Sequence, residues 1–270
     1  MIVKIFSVLL LAIIFHKTFL QRSSLSSGEN LMNKNMVKKI LPFIKLMRQY
    51  HKHEVHGIEN IPKSGKALLV VNHSLATYDI LLLFAAIYEN SNRYTKPLAD
   101  RLFFKSSVLG QLAKDWGAVE GSPENAHNLL LEKKELVAVA PGGMKEALRP
   151  SSQRYQINWE KRKGFIRLAV ETQTPIILAM CPKADDLYHV YPSSITDWAY
   201  TKYKIPLMIA RGFGPTAFPR KIKLTHFISE SIFPPNYNDK KPSEKLIDDF
   251  HKKIMKRSEE MIASAILKNK

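Results

Sequence analysis

At 270 residues, with 45% hydrophobic and 24% charged residues, the chain has the make-up of one sizeable globular domain with attachments. Its single cysteine, Cys181, excludes an internal disulfide framework. The net charge of +17 calls for an anionic partner, and the basic residues interleave with long apolar faces rather than with aromatic stacking motifs, which favours a membrane surface over nucleic acid.

Residues 1–20 carry one early lysine, an apolar core from Ile5 to Phe15, and then His16-Lys17. The apolar core is short of the roughly 20 residues that span a bilayer. Its charge-then-apolar form is that of a signal peptide, but no small-x-small cleavage site follows, so the segment reads as an anchor. Residues 21–53 are a polar linker, Gln21 to Asn30, and then a basic amphipathic stretch. Lys34, Lys38, Lys39, Lys45, Arg48 and Lys52 occur there without an acidic residue between 31 and 53. Met36, Val37, Ile40, Phe43, Ile44, Met47 and Tyr50 recur at helical spacing, with Pro42 a point of kink or break. The sign bias predicts an interfacial helix; the alternative is a helix packed on its own domain with a solvated basic face.

From 54 to 270 short apolar runs alternate with helix-like stretches. Strands are predicted at 66–72, 116–120, 136–140, 175–180, 206–211 and 222–228, and helices at 78–90, 105–114, 124–133, 160–173 and 243–267. This order predicts an α/β fold, a mainly parallel central sheet flanked by helices, with membrane-associated helices at the N-terminus. The stretch 181–204 has no clean period and reads as a long loop near the site. The last helix shows one apolar face, Leu246, Ile247, Phe250, Ile254, Met261, Ile262 and Ile266, expected to pack on the sheet.

Two strand ends carry chemistry. Ala67 to Val71 is followed by Asn72-His73-Ser74-Leu75-Ala76-Thr77-Tyr78-Asp79, and Leu136 to Ala140 by Pro141-Gly142-Gly143-Met144-Lys145-Glu146. A histidine can take a proton from a hydroxyl, a carboxylate can orient it, and backbone N–H groups beside glycines can hold an oxyanion. These are the parts needed for acyl transfer. Each has a bland counterpart: a satisfied strand-end histidine, an ordinary strand-to-helix turn, a helix N-terminal glutamate.

The run Gly57-Ile58-Glu59-Asn60-Ile61-Pro62, then Asn72-His73, then Pro141-Gly142-Gly143-Met144-Lys145-Glu146-Ala147, then Tyr155-Gln156-Ile157-Asn158-Trp159, a basic pair and Gly164-Phe165, resembles the glycerolipid (lysophospholipid) acyltransferase superfamily. The likeness covers roughly residues 53–235 and is strongest to the neutral-lipid branch of diacylglycerol acyltransferases and phytyl ester synthases. It implies a lipid acceptor, an acyl-CoA or acyl carrier protein co-substrate, and no resident cofactor or metal. It also implies His73 as general base, Asp79 as its orienting carboxylate, Gly142 and Gly143 as the oxyanion and acyl site, and Glu146 as an acceptor-site group. The cluster Lys161-Arg162-Lys163 could meet donor phosphates, and Lys105 falls in the second-block region.

Two departures stand out. The family places four residues between His and Asp; here there are five, with Tyr78 in the usual slot. On a regular helix a six-residue offset separates two side chains by about 120°. Second, phosphate-handling relatives present an arginine where this chain reads Trp116-Gly117-Ala118-Val119-Glu120-Gly121-Ser122. Glu120 there argues for an uncharged acceptor, a mono- or diacylglycerol or a long-chain alcohol, because a carboxylate beside a phosphate is unfavourable. The expected protein is therefore a membrane-associated O-acyltransferase on the cytoplasmic face. The alternatives are a lysophospholipid or 1-acylglycerol-3-phosphate acyltransferase, and a non-enzymatic basic surface-binding protein. A serine hydrolase is disfavoured, since no Gly-x-Ser-x-Gly elbow occurs. The histidines His51, His53 and His56 lack a companion cysteine and are not expected to hold a metal.

Overall fold

The computed structural model describes residues 41–268 apart from 76–77, 102–103, 105–109, 112, 115–116, 160, 195–197, 199–201, 203–208 and 239–240. The expected anchor at 1–20, Lys34, Lys38, Lys39, Lys105 and most of the helix expected at 105–114 lie outside the described residues.

Among the described residues nine strands form, β1 Glu54–His56, β2 Ala67–Val71, β3 Thr95–Ala99, β4 Val119–Glu120, β5 Leu136–Val139, β6 Ile176–Met180, β7 His189–Val190, β8 Ala210–Arg211 and β9 Thr225–Ile228. Seven make one sheet in the order β1-β9-β6-β2-β5-β3-β4. All neighbours are parallel except β6 and β9. The sheet is buried on both faces because β2, β5 and β6 are continuous apolar runs. Alternate residues serve opposite faces: Leu68, Val70, Val137, Ile176 and Leu178 join one core, and Ala67, Leu69, Leu136, Ala138 and Ile177 the other.

The helices described over their length include α1 (residues 41–50), α2 Tyr78–Ser91, α3 Pro123–His127, α4 Gly143–Ala147, α5 Gly164–Glu171 and α6 Glu244–Lys268. α3 runs on as a π-turn through Glu132. Ser122 caps α3 by accepting from Asn125 N–H at 3.1 Å, with Pro123 at the first position where its missing donor costs nothing. α2 covers the second core with Ile80, Leu83 and Ile87. α3, α5 and α6 cover the first, α6 through Ile247, Phe250, Ile254, Met261 and Ile262. The layers are helix, sheet, helix, as the alternating sequence pattern predicts.

Several local expectations change. β1 and β3 are additional strands; Thr-Lys-Pro-Leu-Ala carries a proline and no alternation, yet pairs with β5 and β4. The helix expected from 160 begins at Gly164, and the strand expected over 222–228 begins at Thr225. The stretch 181–204 contains a short 3-10 helix, Pro182–Asp186, and β7. For α1 the described part uses Ile44, Met47 and Tyr50 to pack on its own domain, against Leu82, Cys181, Tyr188 and Leu224, while Phe43 and Leu46 stay exposed. Its Lys45 pairs with Glu89 at 3.2 Å, and Arg48 pairs with the same carboxylate. Among the described residues no helix is long and apolar enough to cross a membrane.

Candidate active site

Parallel pairing of β2 with β5 and β6 puts their carboxyl ends on one edge, the usual place for a site in such sheets. His73 leaves β2 there, Gly142 and Gly143 leave β5, and Cys181 leaves β6. Asn72 fixes the first of these ends. Its Oδ1 accepts from Cys181 N–H at 2.8 Å and its Nδ2 donates to Cys181 C=O at 3.2 Å, tying β2 to β6 immediately before His73. Sequence reasoning quoted Asn72 only as part of a motif; its positioning role comes from the structure.

His73 is half-buried, and its Nδ1 lies 2.8 Å from the carbonyl of Ser74. A carbonyl only accepts, so Nδ1 carries the proton and Nε2 keeps its lone pair. Burial lowers the His73 pKa, opposed by the Ser74 carbonyl and by Asp79. The ring is therefore neutral at pH 7, as a base for an alcohol must be.

Asp79 is buried in the first turn of α2. Its Oδ1 accepts from the Ser74 hydroxyl, and its Oδ2 faces His226 Nε2 at 3.7 Å, beyond hydrogen-bond length. Asp79 therefore acts on His73 through its field, while Ser74 bridges the two by hydrogen bonds, its carbonyl accepting from His73 and its hydroxyl donating to Asp79. The six-residue offset has this local consequence: Tyr78, in the family's usual slot, turns to the α1 side with its ring 5.4 Å from His51, and Asp79 is turned to Ser74.

A buried histidine pair completes the set, and sequence reasoning missed it. Arg48 Nε donates to His53 Nδ1 at 3.1 Å, and His53 Nε2 lies 2.9 Å from His226 Nδ1. Because arginine can only donate, the tautomers follow in order: His53 holds its proton on Nε2, and His226 holds its own on Nε2, towards Asp79. Burial, with His226 and Arg48, pushes the His53 pKa down to about 2, which keeps it neutral. His226 reaches this edge because β9 runs antiparallel to β6, so the start of β9 meets the end of β6. Asp79, Cys181 and His226 offer ligand atoms within 4.8 Å of one another, the arrangement a metal ion could use. Burial and the Asp79 charge push the Cys181 thiol well up, so without a metal it stands as a neutral thiol.

The third block is a buried knot. Glu146 accepts from Trp159 Nε1 at 3.0 Å and from Arg149 at 3.1 Å. Arg149 also forks onto Asp185 at 2.7 and 2.6 Å and donates to the Gln156 carbonyl at 2.6 Å. Burial, partly offset by Arg149 and Trp159, raises the Glu146 pKa to about 7. Glu146 folds back over Gly142: a Cβ on Gly142 would lie 2.0 Å from its Oε2. The glycine is thus required by an internal contact. Gly143 has φ +52 with open space around it, and its N–H donates to the Ala140 carbonyl at 3.0 Å. That amide is used by the turn, whereas Gly142 N–H has no backbone acceptor among the described residues. A small cavity on this edge is lined by Leu75, Glu146, Arg149, Arg154, Asp185 and Tyr188.

The remaining sequence candidates lie apart from this cluster. Glu120 is on β4 at the sheet edge, partly exposed, and pairs with Arg101 at 3.2 Å. The region does therefore hold an arginine, contributed by the segment after β3. Lys163 pairs with Asp248 of α6 at 2.5 Å, and Lys161 and Arg162 are exposed just before α5.

The fold and the edge define an α/β protein with a neutral histidine at the carboxyl end of a central parallel strand. The Acyltransferase family model matches residues 52–181. The chain is 30% identical over 200 residues to a bovine "DGAT1/2-independent enzyme synthesizing storage lipids", covering 74% of this chain and 57% of that protein. It is 29% identical over 184 residues to the human protein of that name, covering 68% and 54%. The chain thus spans about half the length of the curated relatives it matches. The crystal structure of the 1-acyl-sn-glycerophosphate (LPA) acyltransferase from Thermotoga maritima has the same fold, with a TM-score of 0.55 at 18% identity over 94% of this chain and 89% of that one. The chain belongs to the glycerolipid acyltransferase superfamily.

Proposed function

We propose that the chain is a membrane-associated O-acyltransferase that moves a fatty acyl group from a thioester, acyl-CoA or acyl carrier protein, to the hydroxyl of a neutral lipid. The observation that carries the chemistry is the Nδ1–Ser74 carbonyl bond, which leaves His73 Nε2 as a proton acceptor on the strand edge. The acceptor hydroxyl gives its proton to Nε2, and its oxygen attacks the thioester carbonyl. The oxyanion is held by backbone N–H, with Gly142 the favoured donor. The C–S bond breaks, and the thiolate takes the proton back from the imidazolium. Asp79 steadies the imidazolium by charge.

The neutral acceptor is supported by the relatives named for storage-lipid synthesis and by the cavity's charge. Glu146 and Asp185 already occupy Arg149, and Asp186 pairs with Arg154 at 3.1 Å. A phosphate there would find its cations taken. The second reading, a lysophosphatidic acid acceptor, is favoured by Arg101 beside Glu120. Competition between labelled acyl-CoA reactions with diacylglycerol and with lysophosphatidic acid separates the two. Neutral acceptors should win, and a strong preference for lysophosphatidic acid would refute the first reading. His73→Ala should cost about 10²–10⁴-fold in rate with the circular dichroism unchanged. Near-normal turnover would remove His73 from the mechanism.

A further inference from the structure

The segment between the cavity wall and β9 exposes an unusual set of side chains. Phe213 is 65% exposed, Ile209 44%, Phe218 43% and Tyr191 38%. Between residues 187 and 224 the sequence holds Lys202, Lys204, Arg211, Arg220, Lys221 and Lys223 against one acid, Asp197. Of these, Lys223 is paired with Glu54 at 2.7 Å.

The loop from Gly212 to Phe218 is built rather than loose. Gly212 N–H donates to Thr216 C=O at 2.7 Å, and Phe213 N–H donates to Phe218 C=O at 2.7 Å. Thr216 N–H and its hydroxyl both donate to Phe213 C=O, at 3.2 and 2.7 Å, and Phe218 N–H donates to the Thr216 hydroxyl at 3.2 Å. A Cβ on Gly212 would lie 1.8 Å from the Phe218 carbonyl, so the close turn needs glycine. Most of the loop's backbone donors are satisfied internally while its two phenylalanines point outward. That combination suits entry into an apolar layer, where an unpaired backbone group is costly.

The loop also joins two other parts of the molecule. Arg220 N–H donates to Leu187 C=O at 3.0 Å, next to the cavity residues Asp185 and Tyr188. Phe218 packs edge-on against Tyr50 of α1 at 5.4 Å, Tyr50 Oη donates to Pro219 C=O at 3.2 Å, and Lys221 Nζ sits 5.8 Å over the same ring. On α1, residues 43, 46 and 50 share one face, and Phe43 and Leu46 on it are 47% and 59% exposed. Phe43, Leu46, Tyr50, Phe218 and Phe213 thus form a strip joined at the Tyr50–Phe218 contact, with Arg211 and Lys221 as its basic residues. Exposed aromatics ringed by basic residues fit an anionic bilayer surface.

We propose that the Gly212–Phe218 loop, with the adjoining face of α1, is a membrane-contact element that seats the cavity edge on an anionic lipid surface. This deepens the lipid-acting reading above and is tested by binding alone, so either can fail without the other. Cys181 is buried, so a cysteine at Ala217 in the full chain takes an environment-sensitive fluorophore selectively. A second protein carries the label at Lys253 on the exposed side of α6. With phosphatidylcholine vesicles containing phosphatidylglycerol, the Ala217 probe should shift to the blue and be quenched by lipid-borne quenchers; the Lys253 probe should not. Pure phosphatidylcholine should bind more weakly. Phe213→Ser together with Phe218→Ser should lower vesicle partition by about tenfold or more. A water-exposed Ala217 probe on protein that still co-sediments would overturn the proposal, as would failure to bind either vesicle. So would a dimer that buries the probe without lipid, which would make the strip an interface between copies.

Discussion

Replacing Gly142 with alanine isolates one contact at the third block. Gly142 has φ −64 and ψ −26, ordinary right-handed values, so alanine costs nothing in backbone strain. The added methyl carbon would fall 2.0 Å from Glu146 Oε2, 2.4 Å from its Cβ and 2.5 Å from its Cδ. One of these atoms, Cβ, is the root of a side chain that is 1% exposed, so Glu146 cannot simply swing into solvent. It must move by an ångström or more, away from Trp159 Nε1 and Arg149. Overpacking of a buried site costs typically 1–3 kcal/mol, and each buried donor left without its partner costs about 1–3 kcal/mol more. We expect a net loss of about 3 kcal/mol after partial relaxation, which at ~2–4 °C per kcal/mol for a chain of this size lowers the melting temperature by about 6–12 °C.

Gly143→Ala is the matched control. It meets no atom within 4 Å but sits at φ +52, so only the left-handed backbone penalty of about 1–2 kcal/mol applies. Thermal unfolding of the two variants side by side gives the ranking. A Gly142→Ala protein that melts within 2 °C of the parent, or above Gly143→Ala, would show that Glu146 does not lie over Gly142 and that the knot is arranged differently.

Glu146 also predicts a pH dependence. Its carboxyl has a pKa of about 7 folded, against an ordinary value of 4.5, so the folded state holds its proton more tightly. Its stabilising contribution is fully present below about 4.5 and is lost as pH rises through 7, up to about 3 kcal/mol. Glu146→Gln should gain relative to the parent between pH 5 and pH 8 in chemical denaturation; a relative loss over that interval contradicts the assignment. His226→Leu leaves the buried His53 Nε2–H without its acceptor and should cost about 1–3 kcal/mol. An unchanged urea midpoint would mean the His53–His226 bond contributes nothing to stability.

The parts of the fold that could be read from the sequence are those that bury both faces of a strand. β2, β5 and β6 are uninterrupted apolar runs, and their carboxyl ends are where His73 and the glycine turn were expected. β3 and β1 could not be read that way. β3 contains Lys96 and Pro97 and is held by its neighbours rather than by its own pattern, and β1 has three residues, two of them exposed. The same limit applies to α1. Glu89, more than 40 residues further along, pairs with Lys45 and Arg48, and no local pattern encodes that pairing.

At the site, local motifs supplied His73 and the glycine turn, while their partners came from tertiary structure. His226 lies 147 residues beyond Asp79, and only an antiparallel β9 brings it to the edge. Glu146 was expected as an acceptor-site group or a helix-start charge; its engagement in the knot could not be read because Trp159, which donates to it, and Asp185, which holds Arg149, enter from separate segments. Glu120 shows the opposite error. Read alone, it argued against a phosphate through its own charge; paired with Arg101 at 3.2 Å it is largely compensated, and a phosphate competing for that arginine would displace a partly exposed partner at modest cost. In the neutral-acceptor proposal a phosphate is therefore disfavoured by the knot around Arg149 rather than by β4. There the cation is buried and held by two carboxylates and a carbonyl, and a lipid phosphate would have to break charge-assisted bonds to reach it.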